Sequence, residues 1–394
     1  MQYRTDPKYG NKISVLGFGC MRFPKNFGVV DIKKSEALVM KAIEKGVNYF
    51  DTARIYYGNE EALGTIVSRN RVRDKILIAS KLPGWQIKTA DDIEKIFQLT
   101  LEKLNTDYID YYLIHMLSEL STWERLKNFG IEKWIENKKK SGQIRRLGFS
   151  FHGDCGQYLK ILDAFDWDAT LIQYNYSNEN FQAGITGLKA AYEKKIPVFI
   201  MEPLLGGTLV NDLPKAVRTL FEKTHPEWTP ARWGLNWLWN QKEITMTLSG
   251  MNSDIQLEDN LRAAEDSRVG MLDEAGLELF AEVRRIFNES YKIKCTGCSY
   301  CMPCPGNVNI PGCFASYNAS YALTLFKGLW KYSQTVSFTA KTMRNASRCI
   351  NCGKCEQHCP QALPIRANLK LVKKRLEPFW FWLPLRIARK FIHL

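Results

Sequence analysis

Short apolar stretches alternate with longer amphipathic stretches over the first 290 residues of the chain. The apolar stretches ISVLGFG, VNYFD and KILIASK are separated by DIKKSEALVMKAIEKG and NEEALGTIVSR. Short runs rich in β-branched and aromatic residues predict buried strands, whereas longer runs with apolar residues every three to four positions predict helices. Further strands are predicted at YIDYYLIH, RRLGFS, ATLIQYN, PVFIME and ITMTLSG, so the pattern contains eight β/α steps.

This serial pattern predicts a (β/α)8 barrel, whose usual length of about 250 residues fits the segment. A doubly wound sheet alternates in the same way, but a dinucleotide-binding sheet of that kind carries GxGxxG after its first strand, and VLGFGCMR lacks it. We therefore expect an α/β fold in which a TIM barrel at residues 1–290 precedes a small α-helical, ferredoxin-like domain at 291–370 and a basic aromatic tail at 371–394.

Polar side chains stand at the ends of five consecutive predicted strands. They are Asp51, Lys81, His115, Ser150, and Gln173 with Asn175. Active sites of such barrels are built at the carboxyl ends of the strands. Any one of these residues is explained well enough as a capping group, but five successive strands that end in this way indicate a site.

Eight of the eleven cysteines form two runs near the carboxyl terminus. They are Cys295, Cys298, Cys301 and Cys304 in CTGCSYCMPCP, and Cys349, Cys352, Cys355 and Cys359 in CINCGKCEQHCP. The second run has the bacterial ferredoxin spacing C-x2-C-x2-C-x3-C-P, and the first has one residue fewer before its last cysteine. The spacing therefore predicts two 4Fe–4S clusters.

In two-cluster ferredoxins the cysteine before proline in each run binds the other cluster. One cluster is then expected on Cys295, Cys298, Cys301 and Cys359, and the other on Cys349, Cys352, Cys355 and Cys304. Cys313, just behind the first run, is an alternative to Cys304. Structural zinc is another interpretation, although two runs of four cysteines exceed what one tetrahedral zinc ion needs. The opening residues MQYRTDPKYG do not resemble a secretory signal, so we expect a cytoplasmic protein. Because the cytoplasm keeps thiols reduced, we expect no disulfides.

The formal net charge is +14, but lysine and arginine are spread along the chain and no nucleic-acid-binding motif accompanies them. We therefore expect no nucleic-acid partner. The charge favours an acidic redox partner of the ferredoxin or flavodoxin type, an anionic cofactor or a membrane surface. No apolar run is long enough to span a bilayer. The sequence predicts no oligomeric state.

The tail carries aromatic residues among basic ones, a composition that suits a membrane interface. The aromatic residues are Phe379, Trp380, Phe381 and Trp382, and the basic ones include Arg375, Arg386, Arg389 and Lys390. The alternative, which we favour, is that the aromatic residues pack against a folded domain while the charges stay in solvent.

Several motifs together resemble the aldo/keto reductases, in the branch with a C-terminal ferredoxin-like domain. They are YRTDPKYGNKISVLGFGCMRFP, FDTARIYYGNEEALG, IASK, YLIH, GFSFH, IQYN, MEPLLGG and LSGMNSDIQLEDN. The resemblance covers nearly the whole chain and implies a catalytic tetrad of Asp51, Tyr56, Lys81 and His115. Tyr56 is preferred to the adjacent Tyr57 because the family places its tyrosine five residues after the aspartate.

Such a tetrad acts as an acid. Reduction of a ketone by hydride forms an alkoxide, and a phenol protonates it only through a positioned hydrogen bond. A Lys81 cation beside Tyr56 lowers the pKa of the phenol, Asp51 holds the lysine, and His115 helps to orient the substrate oxygen. The tetrad contains no electron source, so a cofactor must supply the hydride.

The resemblance also implies that NADPH or NADH lies across the barrel mouth. The positions that match the family's cofactor site are Gly19, Met21, Ser150, His152, Gln173, Met201, Gly206, Gly207, Ser249, Gly250, Gln256 and Asn260. Phe151, with His152 next to it, replaces the usual asparagine, and Met201 replaces a stacking tyrosine. Gly250 and Gln256 replace the lysine and arginine that clamp the 2′-phosphate, so the residues do not select NADPH.

Three functions agree with these residues. The first is an oxidoreductase that reduces a carbonyl or related small molecule with NAD(P)H, its clusters linking the cofactor to an external carrier. The second dispenses with nicotinamide and joins a cluster-fed electron to a proton from Tyr56. The third is a non-catalytic electron-transfer subunit that docks to a redox partner, against which the complete tetrad argues.

Overall fold

The computed structural model describes residues 1–336 and 343–383. The chain forms two compact units, one made of residues 1–203 with 231–273 and the other of residues 204–230 with the chain from Glu274 onward. The helix Glu274–Ser290 is therefore grouped with the second unit. The domain boundaries drawn from the sequence at 290 and 370 stay predictions.

Eight parallel strands close into a barrel in the first unit, which confirms the predicted fold. They are β1 Leu16–Gly19, β2 Tyr49–Asp51, β3 Leu77–Pro83, β4 Ile109–His115, β5 Ile144–Phe151, β6 Ala169–Gln173, β7 Val198–Met201 and β8 Met246–Ser249. Each strand pairs with the next in sequence, and β8 pairs with β1, where Ser249 lies opposite Phe18. This order brings the carboxyl ends of all eight strands to one mouth.

Helices connect the strands, and the first two agree with the predicted stretches DIKKSEALVMKAIEKG and NEEALGTIVSR. They are α1 Ile32–Glu44, α2 Asn59–Arg69, α3 Ala90–Leu104, α4 Leu120–Asn128, α5 Ile131–Lys140, α6 Cys155–Asp163, α7 Gly184–Glu193, α8 Thr208–Asn211, α9 Lys215–Thr224, α10 Pro230–Trp239 and α11 Asp254–Asp266. Asp31 caps α1 by accepting from the Lys34 amide, and Thr89 with Asp92 forms a capping box on α3. These caps satisfy amide groups that the first turn of a helix leaves without partners.

Large side chains fill the inside of the barrel. The rings of Tyr49, Tyr111 and Phe199 lie 4.9 to 5.4 Å apart, centre to centre. Ile13 joins this core from a hairpin of two short strands, Tyr3–Thr5 and Lys12–Ser14. A second hairpin pairs Lys25–Asn26 with Val29–Val30. The interior is a packed core, so ligands are left with the strand ends and the loops that follow them.

The second unit contains the two cysteine runs. Besides α8 and α9, its helices are α12 Glu274–Ser290, α13 Ile310–Ala322, α14 Leu325–Thr335, α15 Lys354–Gln357 and α16 Ile365–Leu376. Buried residues of α13, α14 and α16 share one core, and most of the eight cysteines pack against it. Within the described ranges, no helix has the length and apolar character needed to cross a membrane.

Candidate functional site

A buried ion pair lies where β2 and β3 end. The Nζ of Lys81 lies 2.6 Å from Oδ2 of Asp51 and donates a second hydrogen bond, of 2.7 Å, to the Thr52 carbonyl. Lys81 is 1% and Asp51 4% exposed. Burial raises the pKa of Asp51, and the Lys81 cation opposes that rise. Two of the three N–H donors of Lys81 are thus engaged, which fixes the ammonium and leaves one donor for another group.

Tyr56 stands next to this pair. The Lys81 Nζ lies 5.1 Å from the centre of the Tyr56 ring, and the His115 ring meets that ring edge-on at 6.1 Å. Tyr57 is 90% exposed. The structure therefore brings together all four residues of the predicted tetrad, and it places Tyr56 rather than Tyr57 beside the lysine.

His115 is a neutral imidazole at pH 7. Burial lowers its pKa well below the usual value, and the Lys81 cation lowers it further. Its ring also contacts Trp85 at 5.4 Å, centre to centre. A neutral imidazole can donate a hydrogen bond to a substrate oxygen without placing a second cation next to Lys81.

Three predicted cofactor-site residues lie at the ends of neighbouring strands β5, β6 and β7. Ser150 accepts a hydrogen bond of 2.9 Å from the Met116 amide. Gln173 at the end of β6 is paired in register with Met201 at the end of β7. All three lie at the barrel mouth, where a planar ligand can contact them.

His152 follows β5 and is buried. Its side chain hydrogen-bonds Gln182, and burial lowers its pKa to about 4. Its Nδ1 is buried and has no hydrogen-bond partner in the described part of the chain. A buried nitrogen of this kind can form a hydrogen bond with a group that reaches it, and the role of His152 in cofactor binding stays a prediction.

Residues around β8 and α11 form a second part of the predicted cofactor site. Asn260 donates a hydrogen bond of 2.9 Å to Ser249, and Gln256 accepts one of 3.0 Å from the Asn252 amide. A Cβ added at Gly19 would lie 3.4 Å from the Ser249 carbonyl. The first and last strands thus approach closely at the mouth, and Met21 follows within the short helix Cys20–Arg22.

Arg22, which the sequence interpretation does not select, covers Gly250. A Cβ added at Gly250 would lie 2.9 Å from Cδ of Arg22. Arg22 makes no ion pair with any described residue. The arginine therefore lies across the position where the expected lysine is missing, and the sequence signal that could have shown it is a basic residue three positions after the first strand.

Gly206 and Gly207 belong to the segment 204–230 of the second unit. Both have left-handed backbones, with φ of 64° and 96°. Such a conformation is open to glycine without strain. Their part in the cofactor site remains a prediction from the sequence.

A second residue outside the sequence interpretation is Glu60, an acid buried near the ion pair. It is 1% exposed at the start of α2. Ser80, the neighbour of Lys81, donates a hydrogen bond of 2.6 Å to its Oε1, and Nη1 of Arg54 lies 3.9 Å from its Oε2. Burial raises the pKa of Glu60 to about 7, while Ser80 and Arg54 oppose the rise.

The eight cysteines line two separate cavities in the second unit. Cys295, Cys298, Cys301 and Cys359 line one, and Cys304, Cys349, Cys352 and Cys355 line the other. Each cavity thus receives three cysteines from one run and the cysteine before proline from the other. This is the division expected from the ferredoxin spacing.

The donor sets suit iron–sulfur clusters. Burial raises the pKa of the Cys301 thiol, and the nearby sulfurs of Cys295, Cys298 and Cys359 raise it further. Four thiolates in one small cavity repel each other unless metal ions compensate their charge. Cys313 lines neither cavity; it is buried, with its Sγ 4.0 Å from the Tyr332 hydroxyl.

The aromatic part of the tail is only half packed. Trp382 is buried, donates to the Leu376 carbonyl and meets the Tyr332 ring at 5.8 Å. Phe379 and Trp380 are 76% and 60% exposed, so for these two the expectation of packing is wrong. Arg386, Arg389 and Lys390, which were predicted to belong to the basic tail, lie outside the described residues.

Comparison with known proteins agrees with these features. Residues 15–276 match the Aldo/keto reductase family, and residues 294–363 match the 4Fe-4S dicluster domain. The chain is 27% identical over 301 residues to aldo-keto reductase yakc (NADP(+)) of Schizosaccharomyces pombe. This alignment covers 65% of this chain and 85% of that protein. It is 25% identical over 312 residues to L-galactose dehydrogenase of Arabidopsis thaliana, covering 71% and 93%.

A solved structure has a similar fold. It is an aldo-keto reductase from Bacillus halodurans in its holo form, with a TM-score of 0.60 and 21% sequence identity. The match covers 72% of this chain and 96% of that one. At this level of identity the likeness shows the fold alone.

Proposed function

Because the chain belongs to the aldo/keto reductase family and carries a 4Fe–4S dicluster domain, we propose that this oxidoreductase reduces the carbonyl group of a small molecule at its barrel mouth, with Tyr56 as the proton donor. The observation that carries the proposal is the buried Asp51–Lys81 pair with the Tyr56 ring 5.1 Å from the lysine nitrogen. A buried cation next to a phenol at the end of a barrel strand supports acid catalysis.

The charges of these side chains determine their roles. The Lys81 ammonium favours release of the Tyr56 proton, since it stabilises the phenolate that is left. Asp51 and the Thr52 carbonyl hold the ammonium, so it needs no reorientation during the reaction. His115, neutral and edge-on to Tyr56, donates a hydrogen bond to the substrate oxygen. The substrate gains a proton at oxygen and a hydride, which is a hydrogen with two electrons, at carbon.

NADH or NADPH, when bound, supplies the hydride. The residues that would hold it are Ser150, His152 and Gln173 on the nicotinamide side and Ser249 with Asn260 near β8. The unpartnered Nδ1 of His152 suits a carboxamide. Arg22, over Gly250, supplies the positive charge that a dinucleotide phosphate needs. The relative from fission yeast is named for NADP(+), which supports a nicotinamide cofactor here.

The clusters, when bound, exchange single electrons. We propose that they connect the barrel chemistry to an acidic carrier of the ferredoxin or flavodoxin type. Helix α16 supports this: Arg366 and Leu369 line the second cysteine cavity, while Lys370, Lys373 and Lys374 are exposed on the same helix. An acidic carrier that docks on these lysines would lie near that cavity, and complementary charge also accelerates association.

Tyr56→Phe tests the proton donor, with Tyr57→Phe as the matched control because Tyr57 is 90% exposed. Both proteins are prepared anaerobically with full iron content, and carbonyl reduction is followed by nicotinamide absorbance across a substrate panel. We expect Tyr56→Phe to lower kcat by about 100-fold or more, as loss of a general acid does, and Tyr57→Phe to retain activity. Equal activity of both variants would refute the assignment.

Titration of the oxidised protein with NADH and with NADPH tests the electron source. Bleaching of the visible cluster absorbance would show that electrons from nicotinamide reach iron. If neither nucleotide binds or bleaches the clusters, the nicotinamide part of the proposal is wrong.

A further inference from the structure

A cavity of about 350 Å³ lies at the amino-terminal ends of β3, β4 and β5. Leu77 at the start of β3 and Tyr111 near the start of β4 are among its lining residues. Lys81 lies two residues before the carboxyl end of β3, and His115 is the last residue of β4, so both lie at the other side of the barrel. The cavity is therefore separate from the candidate active site, and its volume lies within the usual range for small-molecule sites of about 300–1,000 Å³.

Positive side chains dominate this cavity. The lining contains the cations Lys12, Lys75, Arg145 and Arg146 and the acids Asp74 and Asp110. Asp110 is already engaged on both oxygens. Its Oδ2 accepts from Arg73 at 2.7 Å and from the Ile78 amide at 2.9 Å, and its Oδ1 accepts from Arg145 at 3.0 Å. Two guanidinium groups thus compensate one carboxylate, and the cavity keeps an excess of positive charge.

The guanidinium groups are held in place before any ligand arrives. The Tyr108 ring lies between Arg73 and Arg145, whose guanidinium carbons are 3.8 and 3.9 Å from the ring centre. Arg145 uses only Nη1 for Asp110, and half of its side chain is exposed. Its remaining N–H groups can bind a ligand without a change of conformation.

Arg146 adds a buried donor. Its guanidinium carbon lies 3.5 Å from the centre of the Tyr9 ring, and Nη1 donates to the Arg145 carbonyl. Its Nε is buried without a hydrogen-bond partner among the residues described. A buried donor left unpaired destabilises the folded state, and an acceptor that reaches it would offset that cost.

Lys12 and Lys75 complete the set. Both are exposed, and neither lies within ion-pair distance of a described carboxylate. Cations gathered in a concave surface concentrate the positive potential there. Forked guanidinium groups and lysines together are the groups that recognise phosphoryl oxygens.

We propose that this cavity binds a small anion that carries more than one phosphoryl group. The two lysines attract it as point charges, and Arg145 and Arg146 orient its oxygens. This site is independent of the proposed carbonyl reduction, because it shares no residue with the barrel mouth.

Inorganic pyrophosphate is a suitable probe. Its binding to the cluster-loaded full chain is measured by isothermal titration, with potassium chloride holding the ionic strength constant. We expect a dissociation constant below 1 mM and a loss of at least tenfold in the Lys12→Gln/Lys75→Gln double variant. Lys33→Gln/Lys34→Gln, which removes two exposed charges from α1, is the matched control and should keep the wild-type affinity.

Three results would overturn the proposal. The first is no binding, or the same affinity in both double variants. The second is loss of binding in Arg22→Ala with no loss in Lys12→Gln/Lys75→Gln, which would place the anion at the barrel mouth. The third is tighter binding of citrate than of pyrophosphate at equal ionic strength, which would make the site one for polycarboxylates.

Discussion

Replacing Glu60 by glutamine removes a buried acid near the barrel mouth and keeps its shape. The glutamine Oε1 can still accept from Ser80, whose hydroxyl lies 2.6 Å from the present carboxylate oxygen. The ionic interaction with Arg54, at 3.9 Å, is lost, as are weaker electrostatic interactions with Lys103 and Glu61. Glu60 is 1% exposed, so solvent screens this site little.

The size of the effect follows from the pKa. Burial raises the pKa of Glu60 from about 4.5 to about 7. One pKa unit corresponds to about 1.4 kcal/mol, so the shift corresponds to about 3 kcal/mol of unfolding free energy. The folded state holds the proton more tightly than the unfolded state. The contribution of Glu60 to the free energy of unfolding is therefore fully present below pH 4.5 and is lost as the pH rises through about 7.

Glu60→Gln should thus gain stability relative to the wild type as the pH rises from 5 to 8.5, by an amount approaching about 3 kcal/mol. Urea denaturation of the barrel, followed by far-UV circular dichroism under anaerobic conditions, measures the difference at each pH. Glu61→Gln is the control, because the pKa of Glu61 is lowered and its charge does not change in this range. A constant difference between Glu60→Gln and wild type from pH 5 to 8.5 would refute the reasoning.

Two further experiments test the cofactor sites. Arg22→Ala should weaken NADPH binding by about tenfold, because it removes a charge-assisted contact to phosphate. Nicotinamide fluorescence measures the dissociation constant of NADPH. An unchanged dissociation constant would show that Arg22 contacts no phosphate. Cys304→Ser should lose about four of eight iron atoms per chain, whereas Cys313→Ser, which alters a thiol outside both cavities, should keep all eight. Equal iron content in the two variants would contradict the ligand assignment.

The barrel and three residues at its mouth are predictable from the sequence because they rest on local patterns, whereas Tyr56 is implied only by the family resemblance. A short apolar run predicts a strand, and the first polar residue after that run predicts where the strand ends. Asp51, Lys81 and His115 follow this rule, and the closed strand order then brings them together. The sharing of cysteines between the two runs is likewise a property of spacing, which is why the two cavities divide as expected.

Arg22 and Glu60 could not be predicted in the same way. Arg22 is significant only because Gly250, far away in sequence, leaves room for it, and no local pattern contains that contact. Glu60 lies in the first turn of α2, a position where acids are usually exposed and favourable to the helix dipole. Its burial against Ser80 arises from the packing of α2 on the barrel, which only the three-dimensional structure gives.

The two ends of the barrel differ in whether their positive side chains are paired with acids. At the mouth, Lys81 is matched by Asp51, and burial keeps both His115 and His152 uncharged. Charge that would develop beside Tyr56 during the proposed reduction therefore meets fixed dipoles and the compensated Lys81 cation, which suits a transfer of hydride and proton. At the amino end, no described carboxylate pairs with Lys12 or Lys75, so their positive charges can bind an anion. The same strands can carry both sites because the core between them is packed and apolar.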